Sequence, residues 1–200
     1  MNYFEYGDKE LKYLKSRDIT IAEVIESIGY IKRRTNPDPF EALVSSVISQ
    51  QISTKAALTV KGRFYELTDN LDTDKISKIS IEEIKSCGMS YRKAEYIKGI
   101  IDAKLEERVN FNELKSMDDE EIIKLLINLK GVGKWTVEML LIFSLQRKNV
   151  LSYDDLGIRR GIMKAYKLNS LSKNEFQKYK ELYSPYGSIA SLYLWELSVL

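Results

Sequence analysis

Five times in the chain a serine, threonine or aspartate is followed three positions later by glutamate: Thr20/Glu23, Asp38/Glu41, Ser80/Glu83, Asp118/Glu121 and Ser172/Glu175. At that spacing the first side chain accepts from an orphan backbone N–H of a starting helix, and the glutamate reaches back to the N–H of the cap residue. Between these starts the apolar residues recur at three and four, as in Leu43, Val44, Val47, Ile48, in Ile122, Ile123, Leu126, Ile127 and in Ile189, Leu192, Tyr193, Leu197. That is the period of one helix face. Pro37, Pro39 and Pro185 stand at helix entrances, with Pro39 and Pro185 expected at the first helical position. No strand pair is evident, and short polar joins such as 68–73 and 149–153 separate the segments. The pattern predicts an all-α fold of about ten short helices.

With 200 residues, 44% of them hydrophobic, the chain is long enough for one compact domain with a sizeable core. Its formal charge of +2 neither requires nor excludes a nucleic-acid partner, so any such argument must be local. The single cysteine, Cys87, excludes an internal disulfide and any four-cysteine zinc or iron-sulfur cluster. Histidine is absent, so general acid–base work falls to carboxylates, lysines or backbone groups. The amino terminus carries no signal-like segment, and no stretch is long enough to span a bilayer. The expectation is a soluble, cytoplasmic protein.

The most informative segment is Leu129-Lys130-Gly131-Val132-Gly133-Lys134-Trp135, between an apolar helix ending near Ile127 and a second helix beginning at once. Two glycines one residue apart permit positive φ and let backbone N–H groups approach a phosphate oxygen, at the electropositive start of the next helix. A plain turn between packed helices would need no more than this. By itself the segment leaves a binding module and an enzyme equally open.

Twenty-two residues after Gly133 stands Asp155, within Ser152-Tyr153-Asp154-Asp155-Leu156-Gly157-Ile158-Arg159-Arg160. Taken alone, both aspartates would read as caps of a helix beginning near Leu156. Together, Leu-x-Gly-Val-Gly and the Asp-Asp pair resemble the helix-hairpin-helix DNA glycosylase superfamily, in its 3-methyladenine DNA glycosylase II branch. Tyr153 departs from the family, where proline is frequent. The resemblance implies a two-lobed helical bundle with a cleft between the lobes, the hairpin and Asp155 on one rim and the Gln50–Gln51 loop on the other. It implies that Asp155 is the catalytic carboxylate, with Asp154 helping to cap the helix. It further implies that the carbonyls of Ile127, Leu129 and Val132 could hold a monovalent cation bridging to a phosphate, no cofactor being required otherwise.

Other segments carry the same resemblance, from about Pro37 to Trp195. Ser49-Gln50-Gln51-Ile52-Ser53 is similar to the family's DNA-facing loop, with Gln51 at the position that fills the gap left by a flipped base, Gln50 at the minor-groove edge and Ser53 beside them. Which glutamine fills the gap stays open. Gly131, Val132, Gly133, Lys134 and Arg159 complete the expected DNA-binding set. Gly88 to Ala94 resembles a segment that packs upstream of the hairpin, with some phosphate contact. Trp135, Met139 and Trp195 are the expected base pocket, although Trp195 could equally be an ordinary core residue. Residues 1–36 are expected as helices packed on the core of a single domain over 1–200, without the extra amino-terminal mixed domain of larger relatives.

Breaking an N-glycosidic bond builds positive charge on the sugar, which a fixed carboxylate facing it stabilises. Relatives that also nick DNA carry a lysine nucleophile where this chain has Trp135, which cannot form a Schiff base. The expectation is therefore a monofunctional, hydrolytic glycosylase that flips and excises alkylated purines such as 3-methyladenine and 7-methylguanine from damaged double-stranded DNA. It would act as a monomer associated with the nucleoid and away from membranes. A noncatalytic helix-hairpin-helix protein, or a glycosylase for oxidised or mismatched bases, are the alternatives.

Overall fold

A computed structural model describes residues 2–200. The chain divides into two compact units, residues 2–35 with 141–200, and residues 36–140.

The first unit opens with a two-residue strand, β1 (Asn2–Tyr3), paired antiparallel with β2 (Arg34–Thr35). No strand pair is evident in the sequence because two residues are too short to show alternation. Between the strands lie α1 (Asp8–Arg17) and α2 (Ile19–Ile28). The expected start at Thr20/Glu23 is displaced: Asp18 caps α2, its carboxylate accepting the Ile21 N–H at 2.9 Å, and Thr20 lies inside the helix. Aspartate is the stronger cap, so the helix begins two residues earlier.

The second unit runs α3 (Pro39–Ser49), α4 (Thr54–Leu67), α5 (Thr73–Lys78), α6 (Ile81–Ser86), α7 (Tyr91–Leu105), a 3-10 turn at Glu113–Ser116, and α8 (Asp119–Leu126). Asp38 caps α3, accepting from Phe40 and Glu41, with Pro39 at the first position as expected. The reciprocal Ser80/Glu83 cap holds α6. Helix α7 is the spine of this unit, burying Ala94, Ile97, Ile100, Ile101 and Ala103. Beside it Phe40 packs edge-on against Phe111 at 5.3 Å, and the Lys104 ammonium sits 3.9 Å over the Phe40 ring.

Helix α9 (Lys134–Phe143) begins in the second unit and ends in the first, which continues with α10 (Leu156–Ala165), α11 (Lys173–Tyr183) and α12 (Gly187–Val199). The Ser172/Glu175 box starts α11 as expected. Pro185 does not begin α12: the Ser184–Pro185 bond is cis and the helix starts two residues later, after Tyr186. Residues 187–194 are all buried, making α12 the centre of this unit. Its two buried serines are satisfied by the 147–150 segment and by the helix's own first carbonyl. Ser188 donates to the Arg147 carbonyl at 2.5 Å and accepts from Val150 N at 2.9 Å, and Ser191 donates to the Val150 and Gly187 carbonyls. Helices α10 and α12 meet at backbone distance, for a Cβ on Gly161 would lie 2.2 Å from the Leu194 carbonyl oxygen.

The described residues thus form twelve α-helices and almost no sheet. Among them no helix is long and apolar enough to cross a membrane.

Candidate active site

Asp155 occupies the cap position of α10. Its Oδ1 accepts the backbone N–H of Ile158 at 2.9 Å, and only 8% of the residue is exposed. Capping therefore belongs to Asp155, and Asp154, expected to share it, is exposed. A carboxylate in this place sits on the electropositive end of a ten-residue helix, which favours negative charge there.

The same Oδ1 accepts the indole N–H of Trp195 at 2.9 Å. Gly157 makes this approach possible, because a Cβ there would lie 2.8 Å from Trp195 Cδ1 and 3.2 Å from Asp155 Oδ1. The Trp195 ring is backed by Phe143, with centroids 5.4 Å apart. Phe143 was not among the expected pocket residues, although it follows Trp135 and Met139 at the four-residue spacing of one α9 face. Trp135 is 39% exposed and Met139 half-buried.

Tyr153, the departure from the family pattern, packs edge-on against Phe176 at 5.3 Å and carries the Arg159 guanidinium 5.2 Å over its ring. Nothing in the sequence marked that pairing.

In the second unit, α8 ends in the glycine turn. Val132 N donates to the Leu129 carbonyl at 3.1 Å, and Gly131 adopts φ +83°. The two glycines differ in what they need. A Cβ on Gly131 would fall 2.1 Å from the Tyr96 ring, whereas nothing lies within 4 Å of one on Gly133. Gly133 is exposed and its carbonyl accepts from Val137, so it leads directly into α9. Lys134 is exposed and its ammonium lies 3.7 Å from Glu138 Oε1, one turn along the same helix.

The Gln50–Gln51 loop belongs to this unit with the hairpin, not opposite it as expected, while Asp155 belongs to the other. The physical reason is a direct bond: Gln50 Nε2 donates to the Gly131 carbonyl at 3.0 Å. Gln51 is exposed at φ +56°, Ile52 is 39% exposed, and Ser53 caps α4 by accepting from Ala56 N. Lys93, in the segment expected to pack with some phosphate contact, donates to the carbonyls of Ile48 (3.0 Å) and Gln50. Burial lowers its ammonium from the ordinary lysine range.

Among the described residues no group of three or more His, Cys, Asp or Glu side chains could hold a metal ion.

Comparison with known proteins places these features. The DNA-3-methyladenine glycosylase 1 of Schizosaccharomyces pombe is 36% identical over 168 residues, 82% of this chain and 74% of that protein. A crystal structure of a DNA-3-methyladenine glycosidase from Bacillus halodurans superposes with TM-score 0.87 at 34% identity, over 99% of this chain and 93% of the other. The Schizosaccharomyces pombe 3-methyladenine DNA glycosylase in complex with abasic DNA gives TM-score 0.83 at 33% identity, over 96% and 98%. Residues 44–185 match the model of the HhH-GPD superfamily base excision DNA repair proteins, and the chain belongs to that family.

Proposed function

We propose that this chain is a monofunctional DNA glycosylase that hydrolytically excises alkylated purines, with Asp155 as its catalytic carboxylate. The observation that carries the reading is the buried Asp155 carboxylate fixed by two N–H donors at the start of α10. The relatives named 3-methyladenine glycosylases support the substrate class.

As the glycosidic bond breaks, positive charge grows on the deoxyribose, and a carboxylate already oriented needs no reorganisation to stabilise it. A purine methylated at N3 or N7 is cationic in DNA and departs as a neutral base, so little acid assistance is required and the lack of histidine is no handicap. Trp135 and Met139, on one face of α9, offer apolar and π surface to an electron-poor base. Extruding that base costs a few kcal/mol, least at a damaged site, which itself adds selectivity.

The hairpin serves as the phosphate grip through the exposed backbone at Gly133 and the start of α9. Gln51, Ser53, Lys134 and Arg159 complete the DNA-facing set in this reading. The neutral carbonyls of Ile127, Leu129 and Val132 suit a weakly hydrated monovalent cation; the Leu129 oxygen keeps a second lone pair beside the Val132 bond. Bound there, the cation would supply positive charge for a phosphate oxygen. Residues 1–200 act as one glycosylase domain, without an amine nucleophile: Trp135 stands at the expected lysine position and Lys134 is engaged with Glu138.

The test uses duplexes carrying single defined lesions. Wild type should release the alkylated base, leave strands that break only after hot alkali, and give no borohydride adduct. Asp155→Asn keeps the cap and should lose at least about a hundredfold in release rate, while Asp154→Asn stays near wild type. Normal release by Asp155→Asn would overturn the reading.

A further inference from the structure

We propose that α7 sets the separation of the two DNA-facing elements, with Lys93 the positioning residue for the Gln50–Gln51 loop and Tyr96 the seat of the hairpin glycine. This rests on the DNA-glycosylase reading of those elements.

The last carbonyls of a helix lack intrahelical donors and carry the negative end of its dipole. At the end of α3, the Lys93 ammonium covers one of them, on Ile48, and the carbonyl of the cap residue Gln50 just beyond. An ammonium has three donors, and two are thereby spent inside the protein on a half-buried side chain, where a phosphate would otherwise be expected. Gln50 is then held at two points: its carbonyl by Lys93, its side-chain amide on Gly131. Three residues along the same face of α7, the Tyr96 ring fills the space that a side chain on Gly131 would occupy. One rigid helix therefore touches both elements, and Gln50 links them to each other.

The consequence falls on Gln51. A residue with a side chain in the left-handed region costs about 1–2 kcal/mol, and such a conformation persists only where its surroundings impose it. Here the residue immediately before it is fixed on both sides, so the exposed Gln51 turn is formed before DNA arrives. A preformed probe avoids ordering costs on binding.

The proposal is tested by amide hydrogen exchange on the DNA-free protein, combined with duplex titrations at several salt concentrations. Lys93→Met should speed exchange at Gln50 and at Val132 at least tenfold. It should weaken binding to an abasic duplex about tenfold while leaving the slope of log affinity against log salt unchanged. Gln50→Met, which keeps the carbonyl for Lys93, should speed exchange at Val132 alone; if Lys93→Met does not fold, Lys93→Gln, which keeps a donor without the charge, decides Lys93's part by exchange at Gln50 and by the salt slope. A salt slope reduced by about one would show that Lys93 meets a phosphate and would overturn the proposal, as would unchanged exchange at both amides. Wild-type protein that binds no damaged duplex would defeat the functional reading separately, since the exchange measurement uses no DNA.

Discussion

The indole N–H of Trp195 and the backbone N–H of Ile158 donate to the same oxygen, Oδ1 of Asp155, each at 2.9 Å. In the proposed active site this bond would let Trp195 orient the carboxylate, beside the base-pocket role that the family resemblance implies. Trp195→Phe keeps a ring against Phe143 and removes the donor. A hydrogen bond to a charged group contributes about 1.5–3 kcal/mol, so single-turnover base release should fall roughly ten- to hundredfold. Affinity for an abasic duplex should stay within about twofold. Lost affinity with an unchanged rate would return Trp195 to the pocket wall.

Gly157 and Gly161 lie one turn apart on α10 and should respond differently to alanine. At Gly157 the new methyl meets the edge of the Trp195 ring, which can turn away, so stability should fall by about 1–2 kcal/mol while release falls more than tenfold. At Gly161 it meets the Leu194 backbone, which cannot yield without separating α10 from α12. Gly161→Ala should cost about 3 kcal/mol or more. Denaturation curves and release rates on the two variants check both statements.

How legible these features were follows from the range of the forces behind them. Cap boxes at Ser80, Asp118 and Ser172 are local side chain to backbone exchanges and could be read directly. The cap at Asp18 was missed because Asp18 also ends α1, and a shared residue leaves no gap between two helices. The spacing from Gly133 to Asp155 pointed to the site, but the partners of that carboxylate are 3 and 40 residues away, and only packing reveals the second. The bonds of Lys93 were not legible, since nothing in a sequence shows that a lysine will meet carbonyls 43 and 45 residues earlier.

Acid sensitivity should come in part from Glu10. Its carboxylate accepts from Lys148 at 2.7 Å and from Gly7 N at 3.0 Å, and the Lys148 bond chiefly holds its pKa at about 2, below the ordinary 4.5. A depressed carboxylate stabilises the fold above its unfolded pKa and loses that contribution as pH falls through the folded value. The effect is therefore full above about pH 5 and fades between there and about pH 2. Lys148 is 44% exposed, so screening limits the pair to about 1 kcal/mol. Urea unfolding of Glu10→Gln should show that deficit at pH 7 and converge with wild type near pH 2; a constant gap at every pH would point to packing instead.

The hairpin glycines separate folding from binding. Gly131→Ala places a side chain at φ +83° and drives its methyl into the Tyr96 ring. The conformational penalty alone is about 1–2 kcal/mol, and displacing the ring brings the expected loss of stability to about 2–4 kcal/mol. Gly133→Ala meets open space, so it should unfold within about 1 kcal/mol of wild type. Its methyl would nevertheless project from exposed backbone that approaches phosphate in the proposed grip. Binding of Gly133→Ala should therefore weaken about tenfold on damaged and undamaged duplexes alike, because a backbone grip does not read bases. Titrations of both duplexes at several salt concentrations, set beside denaturation curves, make the distinction. A stable Gly131→Ala would contradict the left-handed seat against Tyr96, and a Gly133→Ala that binds as well as wild type would remove that backbone from the phosphate contact.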